Sequence, residues 1–188
     1  MKNMKSFIAV SLILMSAASI SACSNKDNIS TSNKEKIETV RLPHEKNGFI
    51  DLDIYFPSAK KNSPIDKEEV LINKEELMGE VIINEIIKGP SVESHLKPVI
   101  PPETKLMSFS IKDGIAIVNL SKDAEVKMSY ENEKACLQSI ANSLSQLEVV
   151  HKVKILVQGN EIESLGGNFN ISKPFSASQI DSLRIKKK

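Results

Sequence analysis

The side chains able to do chemistry are few and scattered. His44, His95 and His151 lie far apart, and none has a His or Glu three or four residues later. A helix-borne zinc site needs that spacing. No serine sits in a Gly-x-Ser-x-Gly elbow, and no glycine-rich loop runs into Lys-Ser or Lys-Thr. Gly166-Gly167 reads as a turn. Asp51 and Asp53 alternate and could pair as carboxylates, but the solvent side of a strand accounts for them more simply. Asp113 belongs to an Asp-Gly turn. Cys136 is flanked by Leu137 and Ile140 on an apolar stripe. A reactive thiol wants an exposed, electropositive setting, so this one is expected to fill a core. No catalytic residue, metal ligand or cofactor is expected.

The second cysteine has a different context. Lys2 and Lys5 precede an uncharged, mostly apolar run of 14 residues from Phe7 to Ile20. A membrane-crossing helix needs roughly 20 residues, whereas a secretory leader needs fewer. The run closes in Ile20-Ser21-Ala22-Cys23. This segment resembles the lipobox of bacterial lipoproteins: an apolar residue, two small ones and a cysteine. The resemblance implies cleavage before Cys23 and a diacylglyceryl group on its sulfur. An ordinary signal peptide with a free cysteine is the alternative. Residues 1–22 are then a lipoprotein signal peptide, and the mature chain sits on the outer face of the cell membrane. Two acyl chains anchor stably where one binds marginally.

Composition supports this division. The chain has 188 residues, 25 basic against 24 acidic, for a net charge of +1. No field of that size gathers nucleic acid. Loss of Lys2 and Lys5 with the leader lowers the basic count to 23 and turns the sum to −1. Residues 23–46 are polar and rich in Ser, Asn, Lys and Glu, and read as a flexible tether. Residues 177–188 end in a basic tail, expected to be solvated.

Between these segments the pattern is that of a folded domain over residues 47–176. Phe49 to Phe56 alternates in part and stops at Pro57, as a strand does. Val70, Leu71 and Ile72 form a weaker strand signal. From Lys74, apolar residues at Leu77, Met78, Val81, Ile82, Ile86 and Ile87 occur at helical spacing. The β-branched run Val81-Ile82-Ile83 keeps a strand in play, but Lys88-Gly89-Pro90 is the stop expected of a helix. Thr104–Ile111 and Ile115–Leu120 flank Asp113-Gly114, a hairpin signal. The second of these is apolar on both faces and should be central. Ser129 is placed to cap a helix carrying Cys136, Leu137, Ile140, Ala141, Leu144 and Leu147. Val149–Val157 is a strand in which Val153, Ile155 and Val157 alternate with Lys152 and Lys154. The order β-(β)-α-β-β-α-β predicts a two-layer α+β domain, with two helices on a small sheet.

Five segments, taken in order, resemble the GerMN domain of sporulation and spore germination proteins. They are Ile50–Pro57, Glu85–Pro90, Ile100–Leu106, Asp113–Ser121 and the helix ending near Leu147 with its succeeding strand Val153–Gly159. The resemblance implies a non-enzymatic extracytoplasmic module that contacts other envelope proteins. Well-known members carry two such domains, and this chain has room for one. The sheet edges near Ile50–Phe56 or Val153–Gln158 are the surfaces where a partner or a second copy would add. An envelope enzyme or a ligand-binding lipoprotein is the competing class.

Overall fold

The computed structural model describes residues 45–59, 63–91 and 95–186. Strands β1 (Glu45–Lys46), β2 (Phe49–Pro57) and β3 (Ile65–Asn73) form an antiparallel sheet in that order. Helix α1 (Lys74–Lys88) continues directly from β3. Strands β4 (Leu106–Lys112) and β5 (Ile115–Leu120), helix α2 (Tyr130–Leu144), and strands β6 (Lys152–Val157) and β7 (Asn160–Glu161) complete a four-stranded sheet ordered β4-β5-β6-β7. β5 and β6 run parallel, which requires the long crossover that α2 supplies. The α+β class is as the sequence predicts, with the strands divided between two sheets.

Local chemistry explains the boundaries. Asn73 Oδ1 accepts from the backbone N–H groups of Glu75 and Glu76 and starts α1. Gly89 ends it at φ 80°, donating to the Glu85 carbonyl. Ser129 caps α2 by accepting from Asn132 N–H. Asp113 and Gly114 both have positive φ, 51° and 76°, as a two-residue hairpin turn requires.

One face of the larger sheet carries the core. Phe109, Ala116, Val118, Leu120, Val153, Ile155 and Val157 are buried, whereas Ile115, Ile117 and Asn119 are half-buried on the opposite face. Ile83 of α1 and Cys136, Leu137, Ile140 and Leu144 of α2 close over the buried face. The first turn of α1 also serves the sheet. Glu76 Oε1 accepts from Ile111 N–H at 2.8 Å, giving edge strand β4 a partner where no strand lies.

Four expectations are corrected. β1 at Glu45–Lys46 lies inside the segment expected to be tether, yet it belongs to the domain, because Glu45 and Lys46 pair with Ile50 and Phe49. β3 starts at Ile65, before the apolar residues that signalled it. Asp66-Lys67-Glu68-Glu69 conceals those positions, since the ribbon is solvated on both faces there. Lys154 is only 7% exposed, not solvent-facing: its ammonium donates to the Ser172 carbonyl and lies 3.2 Å from a Glu161 carboxylate oxygen. Finally, the domain does not stop at Ser176. Ala177–Leu183 is a 3-10 helix whose Ile180 is fully buried, and Arg184 bridges to Phe169.

Gly79 sits where α1 crosses β4. A Cβ there would lie 2.1 Å from the Phe109 ring, which is itself 7% exposed in the core. Gly79→Ala should therefore destabilise the domain by about 1–3 kcal/mol despite its better helix propensity. Urea unfolding of variant and parent would measure this, and an unchanged midpoint would refute the close-packing argument.

Candidate interaction surfaces

The residues considered for chemistry do not converge. His95 and His151 are exposed in separate loops, and His44 lies outside the described residues. So do Ile20, Ser21, Ala22 and Cys23. Among the described residues, no group of three His, Cys, Asp or Glu side chains could hold a metal ion. Asp51 and Asp53 share a strand face. Asp53 is held by Lys67 at 2.9 and 3.0 Å, while Asp51 stands across from Leu71. This is an ion-paired outer face, not a paired carboxylate site.

Cys136 is buried, as its position predicts. Burial, and secondarily the nearby Glu133 carboxylate, push its thiol up to about 12. Both effects disfavour the thiolate, the form a nucleophile needs.

Glu133 is the polar centre that sequence reasoning missed. It is fully buried in the first helical turns of α2. Its Oε1 accepts from Ser164 Oγ at 2.8 Å and Gly166 N–H at 2.9 Å. Its Oε2 accepts from Asn168 N–H at 2.7 Å and the Asn168 side-chain amide at 2.8 Å. Four donors replace the water lost on burial, and a position near the positive end of α2 helps hold the charge. Ser164 Oγ in turn accepts from Gly167 N–H at 2.7 Å, so the Ser–Glu contact closes a loop and exposes no nucleophile. The loop fits closely: a Cβ on Gly166 would lie 2.7 Å from Met128 Cβ and 2.9 Å from Glu133 Oε2. Gly166-Gly167 is indeed a turn element, but its neighbour across space is α2.

Two surfaces with apolar lining stand out. The first is the β2–β3 ribbon. In register, Ile50, Leu52, Ile54 and Phe56 pair with Ile72, Val70, Glu68 and Asp66 along one face. That face starts buried at Ile50 and ends exposed, with Ile54 at 39% and Phe56 at 50%. Tyr55, Ile65 and Leu71 are also exposed. An apolar set this concentrated is unusual on a surface that touches nothing. The second is a groove of about 640 Å³ between α1, the loop after it and α2. Val81, Ile86, Leu96 and Pro98 line its apolar side, and Ser139 and Ser143 line the α2 side. The edge at Val153–Gln158, one of the two expected docking edges, is occupied. β7 pairs with Leu156 and Val157, and Phe175 pairs with Val153.

The chain is similar to known proteins. A family model described as sporulation and spore germination, Germane, matches residues 53–163. A crystal structure from Clostridium perfringens, described as a candidate lipoprotein, is 42% identical, with a TM-score of 0.70 over 77% of this chain and 98% of that one. The tandem GerMN domains of the sporulation protein GerM from Bacillus subtilis are 26% identical over 62% of this chain and 42% of that one, TM-score 0.39. The first GerMN domain of that protein is 22% identical over 67% of this chain and 95% of that one, TM-score 0.43. Among curated proteins nothing matches.

Two outcomes test the buried centre. Glu133→Ala strands at least two backbone donors and should cost about 2–4 kcal/mol, read as a lower denaturation midpoint. A midpoint within error of the parent would sink the latch. Cys136 should resist a soluble alkylating agent until the chain unfolds. Its folded thiol lies above the ordinary 9.0, so the folded state binds more protons than the unfolded one between about 9 and 12. Stability should accordingly fall as pH rises past 9, an effect absent in Cys136→Ala. Rapid labelling of native protein would contradict both statements.

Proposed function

Because the chain belongs to the Germane family of sporulation and spore germination, we propose that it is a non-catalytic, membrane-anchored interaction module of the cell envelope. The observation that carries this reading is the β2–β3 ribbon, which presents apolar side chains to solvent at its far end. A catalytic site would instead show a nucleophile paired with a base, and none of the residues singled out in the sequence is so paired among the described residues.

In this reading Cys23 carries the lipid after cleavage behind Ile20-Ser21-Ala22, and the domain stands on the outer face of the membrane. The description of the Clostridium perfringens relative as a candidate lipoprotein supports that anchor. Residues 23–44, which lie between the proposed lipid and the first described strand, number 22. The partners are other envelope proteins engaged during sporulation or germination. The α1–α2 groove is the feature that favours the competing reading of a ligand-binding lipoprotein, since its size and apolar lining suit a small molecule.

Crosslinking in cells entering sporulation tests the module reading. The expected result is a small, reproducible set of envelope proteins joined to the wild-type chain. That set should be lost in Cys23→Ser, which should also take up no labelled acyl chain. Crosslinks only to abundant, unrelated proteins would reject the reading.

A further inference from the structure

Among the described residues β3 is paired on one side only, by β2. The two ends of the ribbon fix which of its backbone groups point the other way. Lys74 N–H donates to the Gly48 carbonyl at 2.9 Å, and Ser58 N–H donates to the Pro64 carbonyl at 3.0 Å. The register between these ends is unbroken, from Phe49 opposite Asn73 to Pro57 opposite Ile65. Bonding therefore alternates without a slip, and the even-numbered residues of β3 bond to β2. Ile65, Lys67, Glu69 and Leu71 turn their N–H and C=O groups to the outer edge, and all four are exposed. Two of these groups take local side chains where a strand is lacking. The Ile65 carbonyl accepts from Ser63 Oγ at 2.6 Å, and Lys67 N–H donates to Asp66 Oδ1 at 3.1 Å.

An antiparallel strand on that edge must pair through those four residues. In the register centred on Glu68, a second copy of β3 does so with matching chemistry. Lys67 stands opposite the second copy's Glu69, and Glu69 opposite its Lys67. Ile65 and Leu71 oppose each other in the same way. These are alternate residues, so all of their side chains lie on one face. The run Ile65-x-Lys67-x-Glu69-x-Leu71 is thus its own complement when reversed. Neighbouring registers fail, since centring on Lys67 opposes two ammoniums and centring on Glu69 opposes two carboxylates. The outer edge of β2 beyond β1 lacks this property. It turns out Asp51, Asp53, Tyr55 and Pro57, so reversal sets aspartate against aspartate or meets a residue with no N–H.

We propose that β3 pairs with β3 of a second copy, antiparallel about Glu68, joining two ribbons into one sheet. The contact is isologous, the same edge serving both copies. It covers Leu71, at 68% the most exposed large apolar side chain among the described residues, with Ile65 of the other copy. Lys67 keeps Asp53 of its own β2 at 2.9 Å and gains a carboxylate from across the edge. One pair opposes the contact: Glu68 meets its own counterpart on the other face, where Asp66 lies opposite Val70. Two Lys–Glu and two Ile–Leu pairs stand against that single like-charge pair. A seven-residue overlap is a small contact, suited to copies that a shared membrane holds at high effective concentration. The inference names the chain itself as a partner and does not depend on the envelope partners proposed above.

The axis gives a test specific to this register. Glu68 occupies a non-hydrogen-bonded position there, so its two Cα atoms would lie roughly 4.5 Å apart, within disulfide range. Each of residues 65–71 is replaced in turn by cysteine in the full-length protein, and membranes carrying it are treated with a mild oxidant. The parent, whose Cys136 is buried, sets the background. The linked dimer should form at least about tenfold faster in Glu68→Cys than in Lys67→Cys or Glu69→Cys, whose own counterparts lie two residues out of step. Adding Lys67→Glu to Glu68→Cys should slow linkage at least about tenfold, and adding Glu69→Lys as well should restore it. Thermal unfolding checks the fold of each variant; should the exchanged pair not fold, the cysteine scan alone decides. Equal rates along the run, a maximum elsewhere, no dimer above the parent, or a folded exchange that fails to restore linkage overturns the proposal. A maximum at Glu68→Cys without any envelope partner upholds this edge and rejects the module reading. Envelope partners without that maximum do the reverse.

Discussion

The carboxylate of Glu133 is the point on which the second half of the domain depends. A buried charge without a cation is tolerated only when hydrogen bonds replace its hydration, and here the donors come from a loop more than 30 residues further along the chain. Fixing that loop also fixes the C-terminal segment. Phe169 stacks on Tyr130 with ring centroids 5.0 Å apart, and the Arg184 guanidinium lies over the Tyr130 ring at 4.6 Å. The Leu183 carbonyl accepts from Asn170 N–H, and the Asn168 carbonyl accepts from Ile185 N–H. The irregular segment after β7 thus becomes a third element packed on α2, with Phe169, Ile171, Phe175 and Ile180 sealing the core.

The first half is organised differently. It is tied down at the root of the ribbon, where Ile50 is 2% exposed, and by the continuous passage of β3 into α1 through the Asn73 cap. Beyond the root, nothing described covers the ribbon. The molecule therefore joins a densely packed body to an arm whose described ties are its own strand pairing and the ammonium of Lys67 between Asp53 and Glu69. A two-stranded ribbon is marginal alone, and attachment to a packed core is what makes this one persist.

Much of the body was legible in the sequence, and the reason is locality. The Asp113-Gly114 hairpin, the Gly89 stop, the Ser129 cap and the apolar stripes of both helices are encoded within a few residues. Features that depend on distant partners were not legible. Glu133 looks like any acid near a helix start until Ser164, Gly166 and Asn168 close on it. Lys154 looks solvent-facing until the Ser172 carbonyl and Glu161 arrive. The basic end of the chain looks solvated because its charges mask Ile180 and Leu183, which lie just before them. The full length of β3 was hidden for the opposite reason. A strand wet on both faces has no alternation to read, so only its root announced itself. The leader and Cys23 lie outside the described residues and stay an expectation of the sequence.

The state of Cys136 has a consequence for a chain working outside the cytoplasm, as proposed here. Disulfide exchange proceeds through the thiolate, and in oxidising surroundings any exposed thiolate is a route to mixed disulfides. On the proposed anchor, copies would share a surface and meet often. Enclosing the thiol among Leu137, Ile140 and a neighbouring carboxylate removes both access and charge. The domain is thereby chemically silent toward its neighbours, and its contacts stay reversible.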